Sequence, residues 1–86
     1  MSKATTTDRK ASAAEVHAHA EQVRRLADEV GVSNPRLRHD GTLVVHSDQP
    51  GYRQVVALSR HANELVGRYV HVITDDVPAA GDAQPV

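Results

Sequence analysis

The stretch LRHDGTLVVHS, residues 37–47, decides the fold because it predicts two strands joined by a tight turn. The letters HDG supply a glycine where a hairpin turn needs a positive φ. A three-residue loop at 39–41 sets Leu37 opposite Leu43, and Val45 then shares their buried face. A two-residue loop would pair Leu37 with Val44 instead. We expect the first register because it keeps the apolar side chains on one side.

Helical patterns lie on both sides of this hairpin. Ser12 and Glu15 form a capping box, and an apolar stripe then continues until Gly31, which ends the first helix. A turn at Pro50–Gly51 leads into a second amphipathic helix, which ends at Gly67. The stripes consist of Val16, Ala20, Val23, Ala27 and Val30 in the first helix and of Val55, Leu58, Ala62 and Leu65 in the second.

The stretch RYVHVIT, residues 68–74, predicts a third strand. Because a helix precedes it, this strand should run parallel to the one before that helix. The predicted fold is α/β: a two-layer sandwich of order α-β-β-α-β, with a mixed three-stranded sheet and two helices on one face. A single domain should cover residues 12–76. Residues 1–11 and 77–86 show no periodic pattern, so we expect a disordered N-terminal arm and a disordered C-terminal tail.

The composition limits the classes of function. The 86 residues carry a formal net charge of −1, which does not favour nucleic acid or an anionic membrane as partner. Without cysteine there is no thiolate chemistry, and we expect a cytoplasmic protein. No signal peptide and no membrane span are predicted. The core is small, so a homodimer or a partner chain is expected to cover apolar surface.

The candidate binding site lies on the sheet face away from the helices, here called the open sheet face. Side chains alternate along a strand, so the residues between the core positions point to this face. Arginines and histidines there surround Val44 and Ile73, an arrangement suited to an anion, a nucleotide or a protein partner. A solvated face is the alternative. The candidate site residues are Arg36, Arg38, Thr42, Val44, His46, Tyr69, His71 and Ile73.

His46 and His71 lie on neighbouring predicted strands and could come close together. A zinc site needs at least three protein ligands, and the spacing supplies no third. We therefore predict no metal site and no cofactor. No serine stands in a nucleophile-elbow context and no Gly-rich phosphate loop is present, so no catalytic residue is predicted.

Three stretches together resemble the minimal nucleotidyltransferase family, a group of small antitoxin-associated proteins. They are RRLADEVGVSNPRLR (24–38), TLVVHS (42–47) and ELVGRYVHVIT (64–74). The most specific part is GRYVHVIT, which stands beside the family pattern GRxVDVVT. The resemblance implies a strand followed by a Gly-Ser loop that holds the triphosphate, and a second strand with an Asp-x-Asp pair. The family binds Mg²⁺ through this pair and a third carboxylate on the last strand.

The chain departs from this family at every chemical position but one. It has only HDG where the Gly-Ser loop should be. The Asp pair falls at Asp40 and Thr42, and the third carboxylate falls at His71. Nucleotidyl transfer needs carboxylates to hold Mg²⁺ against the phosphates. The resemblance therefore implies a degenerate, inactive member.

The sequence thus predicts a non-catalytic binding or regulatory module, antitoxin-like, that meets a protein partner or a second copy through the open sheet face. Two alternatives stay open. The stretch RRLADEVGVSNPRLR also resembles the start of a helix-turn-helix, which implies a DNA-binding regulator, although Pro35 and Gly41 shorten the recognition helix. The other alternative is an active Mg²⁺-dependent nucleotidyltransferase.

Overall fold

The computed structural model describes residues 10–48, 53–77 and 81–86. In this part of the chain it contains helices and strands of an α/β protein, which confirms the predicted class. The turn expected at Pro50–Gly51 and the arm before Lys10 lie outside the described residues. The elements are α1 (Ala13–His17), α2 (Ala20–Val30), β1 (Ser33–Leu37), β2 (Leu43–His46), α3 (Arg53–Val66), β3 (Val72–Thr74) and β4 (Gln84–Pro85).

The strands form one mixed sheet in the order β3-β2-β1-β4. As expected, β1 is antiparallel to β2, and β2 is parallel to β3. Leu37 lies opposite Leu43. The Arg38 N–H donates to the Thr42 carbonyl at 2.9 Å, and Gly41 has a φ of 92°. The predicted three-residue hairpin loop and its register are therefore confirmed.

The sheet has four strands and not the predicted three, because the prediction did not include β4. This strand pairs antiparallel with β1. Beyond it the Val86 N–H donates to the Pro35 carbonyl at 3.2 Å, and the Arg24 guanidinium donates to the Val86 carbonyl at 2.9 Å. These last residues fall within the segment 77–86, for which the sequence predicts a disordered tail. A strand of two residues, one of them a proline, gives no periodic signal in the sequence.

The first predicted helix is two helices, α1 and α2, separated at Ala18 and His19. His19 has φ −112° and ψ 27°, outside the helical region. Its N–H donates to the Val16 carbonyl, three residues earlier, which is one residue tighter than an α-helical bond. The break contains no proline or glycine, so nothing local in the sequence predicts it. It lets Val16 and Val23 both enter the core, each fully buried.

The start of the described chain is attached to the sheet edge beside β3. Lys10 forms an isolated parallel bridge with Tyr69, and the Ala11 N–H donates to the Tyr69 carbonyl at 2.7 Å. Arg68 donates to Glu15 in α1 at 2.9 Å. These contacts fix the direction of α1 independently of α2. Lys10 and Ala11, at the end of the predicted N-terminal arm, thus contact the sheet edge.

The core lies between the sheet and the helices. The two long helices pack against each other and on the same sheet face, as expected. Leu43, Val45, Val70 and Val72 belong to this core, as the alternation of core and open-face positions along the strands predicts. The core residues are Ala11, Val16, Val23, Ala27, Val32, Leu37, Leu43, Val45, Leu58, Ala62, Val70 and Val72. None of the described helices is long and apolar enough to cross a membrane.

Candidate functional site

The residues at the centre of the open sheet face are buried. Val44 is 0% exposed and Thr42 is 3% exposed, while Ile73, the register neighbour of Val44 on β3, is half-buried. The expectation of an uncovered apolar patch at Val44 is therefore wrong. Arg36 lies opposite Val44 on β1, and its Nε is buried. Because an arginine can cover apolar surface with its methylene stem, the cations expected to surround a patch can instead bury it.

The two histidines of the open sheet face lie apart. Leu43 pairs with Val72, and the Leu43 N–H donates to the His71 carbonyl at 2.8 Å. His71 therefore lies beside Thr42, four residues before His46. Four residues along a strand span about 13 Å. The expectation that His46 and His71 meet is wrong because alternation fixes the face of a residue but not the offset between two parallel strands.

One end of the open sheet face holds the hairpin-end cluster, which consists of Lys10, Asp40, Thr42, Tyr69 and His71. The Lys10 ammonium donates to Thr42 Oγ1 at 2.9 Å and lies 3.6 Å from Asp40 Oδ2. The Tyr69 hydroxyl lies 3.0 Å from His71 Nδ1. The cluster thus joins the hairpin loop, the residues before α1 and the start of the last parallel strand.

Asp40 is the acid of the hairpin-end cluster. The Thr42 backbone N–H donates to Asp40 Oδ1 at 3.0 Å, which closes a local turn. This bond is the main reason that the pKa of Asp40 falls from 3.8 to about 2, and the positive charge of Lys10 adds to it. At neutral pH the carboxylate is ionised and already engaged by the turn and by the ammonium.

The opposite end holds the carboxyl-end cluster, which consists of Arg36, His46, Asp48 and Asp75. His46 Nε2 lies 2.9 Å from Asp48, and His46 Nδ1 lies 3.1 Å from Asp75 Oδ2. Arg36 Nη2 lies 3.8 Å from the same Asp75 oxygen. An imidazolium carries a proton on each nitrogen, so only this form donates to both carboxylates. Asp48 and then Asp75 accordingly raise the pKa of His46 above 6.5.

The structure divides the predicted site residues between these two clusters. Thr42, Tyr69 and His71 meet at the hairpin end, and Arg36 and His46 meet at the other end. Val44 and Ile73 lie between the clusters, and Arg38 is half-buried beside the hairpin.

Sequence reasoning missed Lys10, Asp48 and Asp75. A usable signal existed for Asp75, because the carboxyl ends of parallel strands meet at one edge of a sheet. Within the described residues, no group of three or more histidines and carboxylates could hold a metal ion.

The segment that a DNA-binding helix-turn-helix would use as its recognition helix is a strand in the structure. Residues 33–37, which would begin a recognition helix, form strand β1 and pair with β2 and β4. A helix-turn-helix presents its second helix to the major groove, and this segment is extended.

Comparisons with known proteins show no relative: no family model matches the chain, and neither a curated protein nor a solved structure is significantly similar to it.

Proposed function

We propose that the chain is a small non-catalytic binding or regulatory module, antitoxin-like in role, on the plan of the minimal nucleotidyltransferases. The supporting observation is the position of Lys10, whose ammonium contacts both Thr42 and Asp40. In the family that the sequence resembles, these two positions and His71 carry the carboxylates that hold Mg²⁺. In this chain the Lys10 ammonium contacts two of these three positions, Asp40 and Thr42.

The chemistry of the hairpin-end cluster supports binding without transfer. Mg²⁺ prefers carboxylate, phosphate and water oxygens, and phosphoryl chemistry uses it to neutralise charge that develops on the transferred group. One carboxylate, one hydroxyl and one imidazole give a weak set of ligands for this ion. Lys10 also balances the single negative charge of Asp40, so little attraction for a divalent cation is left.

The same end of the sheet face supports a protein partner. Tyr69 is 38% exposed and His71 is exposed beside it. An aromatic ring with a polar tip suits the core of a protein interface. The cations of this face lie near acids, Lys10 and Arg38 by Asp40 and Arg36 by Asp75, which leaves little free positive charge for a phosphate backbone.

A transfer assay tests the non-catalytic part of this proposal. The wild-type chain is incubated with α-labelled nucleoside triphosphates, Mg²⁺ or Mn²⁺, and cellular RNA and protein as acceptors, and no label should be transferred. The variant Lys10→Met frees Asp40 and should also stay inactive, because one carboxylate does not hold the metal. Turnover by the wild type that disappears in Asp40→Ala would instead establish the active nucleotidyltransferase.

An affinity capture from native lysate tests the binding part. A partner should be retained by the wild type and by Glu21→Ala, a control on the exposed surface of α2, and be lost with Tyr69→Ala. A partner retained equally by all three chains would show that the hairpin end is not the binding surface. Sequence-specific binding of duplex DNA that is lost in Arg36→Ala would favour the DNA-binding regulator.

A further inference from the structure

A groove runs between α2 and α3 on the outside of the helix layer, on the opposite side of the molecule from the two clusters. It is a shallow, open groove with a volume of about 430 Å³. Leu26 and Leu65 line it, and both are half-buried side chains that pack against the core. A second, smaller depression shares His61 and Glu64 with it and extends it along α3 towards Arg60. The helix layer thus presents a partly apolar strip that no described element covers.

The charges beside this strip have a regular order. Arg25 is followed by Glu29 on α2, and Arg60 is followed by Glu64 on α3, so each helix shows a cation and then an anion one turn later. All four residues are exposed. In the described part of the chain, no ion pair within 4 Å involves any of the four.

The charges of α2 are complementary to those of α3 in a second copy when the two helices run antiparallel. If α2 lies antiparallel on a second copy of α3, Arg25 faces the partner's Glu64 and Glu29 faces the partner's Arg60. In the parallel direction like charges would meet. A twofold axis repeats each contact once, as an isologous interface requires. Leu26 and Leu65 of each copy then lie between four ion pairs, two for each repeat of the contact.

We propose that this groove is the contact surface of a homodimer in which α2 of each copy packs antiparallel on α3 of its partner. The proposal goes beyond the proposed function, since the groove and the hairpin end lie on opposite sides and can be occupied together. Two helices of 11 and 14 residues are about 16 and 21 Å long. Such a face buries roughly 800 Å² in total, below the usual size of a stable interface, so a dissociation constant in the micromolar range is expected.

Sedimentation velocity over a concentration series from about 5 to 500 μM tests the proposal on the full chain. The wild type should change from monomer to dimer within this range. Arg25→Glu and Glu64→Arg should each weaken the dimer about tenfold or more, because each creates two like-charge contacts per dimer. The double variant Arg25→Glu/Glu64→Arg should restore the wild-type constant. Glu21→Lys, a charge reversal on α2 outside the groove, should leave it unchanged.

Several results would overturn the proposal. These are a wild type that stays monomeric at the highest concentration, a dimer that ignores both single reversals, and a double variant no better than the single ones. A dimer lost in Tyr69→Ala but kept in Arg25→Glu would place the contact on the sheet face instead. Far-ultraviolet circular dichroism of each variant separates loss of association from loss of folding, and exposed charge reversals are expected to leave the fold intact.

Discussion

The two ends of the open sheet face place an acid against a cation in different ways. At the hairpin end Asp40 is held mainly by a backbone N–H only two residues away. At the carboxyl end His46 lies between Asp48, two positions later, and Asp75, 29 positions later in the chain. The first arrangement is local, and its charge state changes only in strong acid. The second depends in part on the register of two parallel strands, and it involves a histidine whose pKa is raised first by Asp48 and then by Asp75. The hairpin end is thus a fixed element of the fold, and the carboxyl end is sensitive to pH.

The largest loss of stability is expected for a substitution in the hairpin loop, at Gly41. In Gly41→Ala the new Cβ would overlap the Ala11 carbonyl oxygen, and the residue would keep a φ of 92°. We expect a loss of about 3 kcal/mol in the free energy of unfolding. Gly67→Ala is the matched control, since Gly67 has a φ of 82° but open space around a Cβ, and about 1 kcal/mol is expected there. Equal losses in urea denaturation would mean that the chain around Ala11 is not packed on the hairpin.

Removal of the acid at the same end should cost less. Asp40→Ala loses the bond from the Thr42 N–H and the contact with Lys10, and about 1 kcal/mol is expected from the hydrogen bond. Because the folded pKa of about 2 lies below the unfolded value of 3.8, this stabilisation is present above about pH 4 and is lost as the pH falls towards 2. The difference in melting temperature between wild type and variant should therefore shrink between pH 4.5 and 2.

The pH sensitivity of the carboxyl end can be tested with His46→Gln. The folded pKa of His46 is raised by Asp48 and Asp75, so its stabilisation is complete below pH 6.5 and is lost as the pH rises through the folded pKa. The wild type should lose melting temperature between pH 6 and 9, and the variant should lose less. Identical slopes for both chains would show that the imidazolium does not stabilise the fold. The direct check is the titration of the His46 ring followed by NMR.

The smallest effect is expected for Lys10→Met. The ammonium and Asp40 are partly exposed, and ion pairs of this kind contribute about 0.5 kcal/mol or less. The variant also loses the hydrogen bond from the ammonium to Thr42 Oγ1, but the turn between Asp40 and Thr42 stays in place, so the loss in the free energy of unfolding should stay below about 1 kcal/mol and below that of Asp40→Ala. A loss comparable to that of Asp40→Ala would show that the lysine, and not the turn, holds this end together.

Several of the features that sequence reasoning predicted correctly are set by near neighbours. The capping box of Ser12 and Glu15 forms with both of its hydrogen bonds, and Gly31 ends α2 with a φ of 90°. The register of Leu37 and Leu43 follows from a three-residue loop and from the need to keep apolar residues on one face. In each case the physical cause acts within about ten residues.

The features that it missed depend on distant contacts. The break at His19 arises where α1 is attached to the sheet edge and α2 is not, and no local residue announces it. The pairing of His46 with Asp75 needs the offset of two parallel strands, which alternation does not fix. The burial of Val44 depends on what neighbouring side chains do over the face, which the strand pattern alone does not contain.

The strand β4 has a consequence for how the molecule behaves at high concentration. It covers one edge of β1, and as an outermost strand it contains Pro85, which has no N–H to offer to a further strand. A bare β1 edge would be a template for strand addition by other copies. Two residues that add little to the core thus act as protection against aggregation through the sheet edge. A chain shortened before Gln84 also loses the contact of Val86 with the core, but it should keep the fully buried core residues and become less colloidally stable.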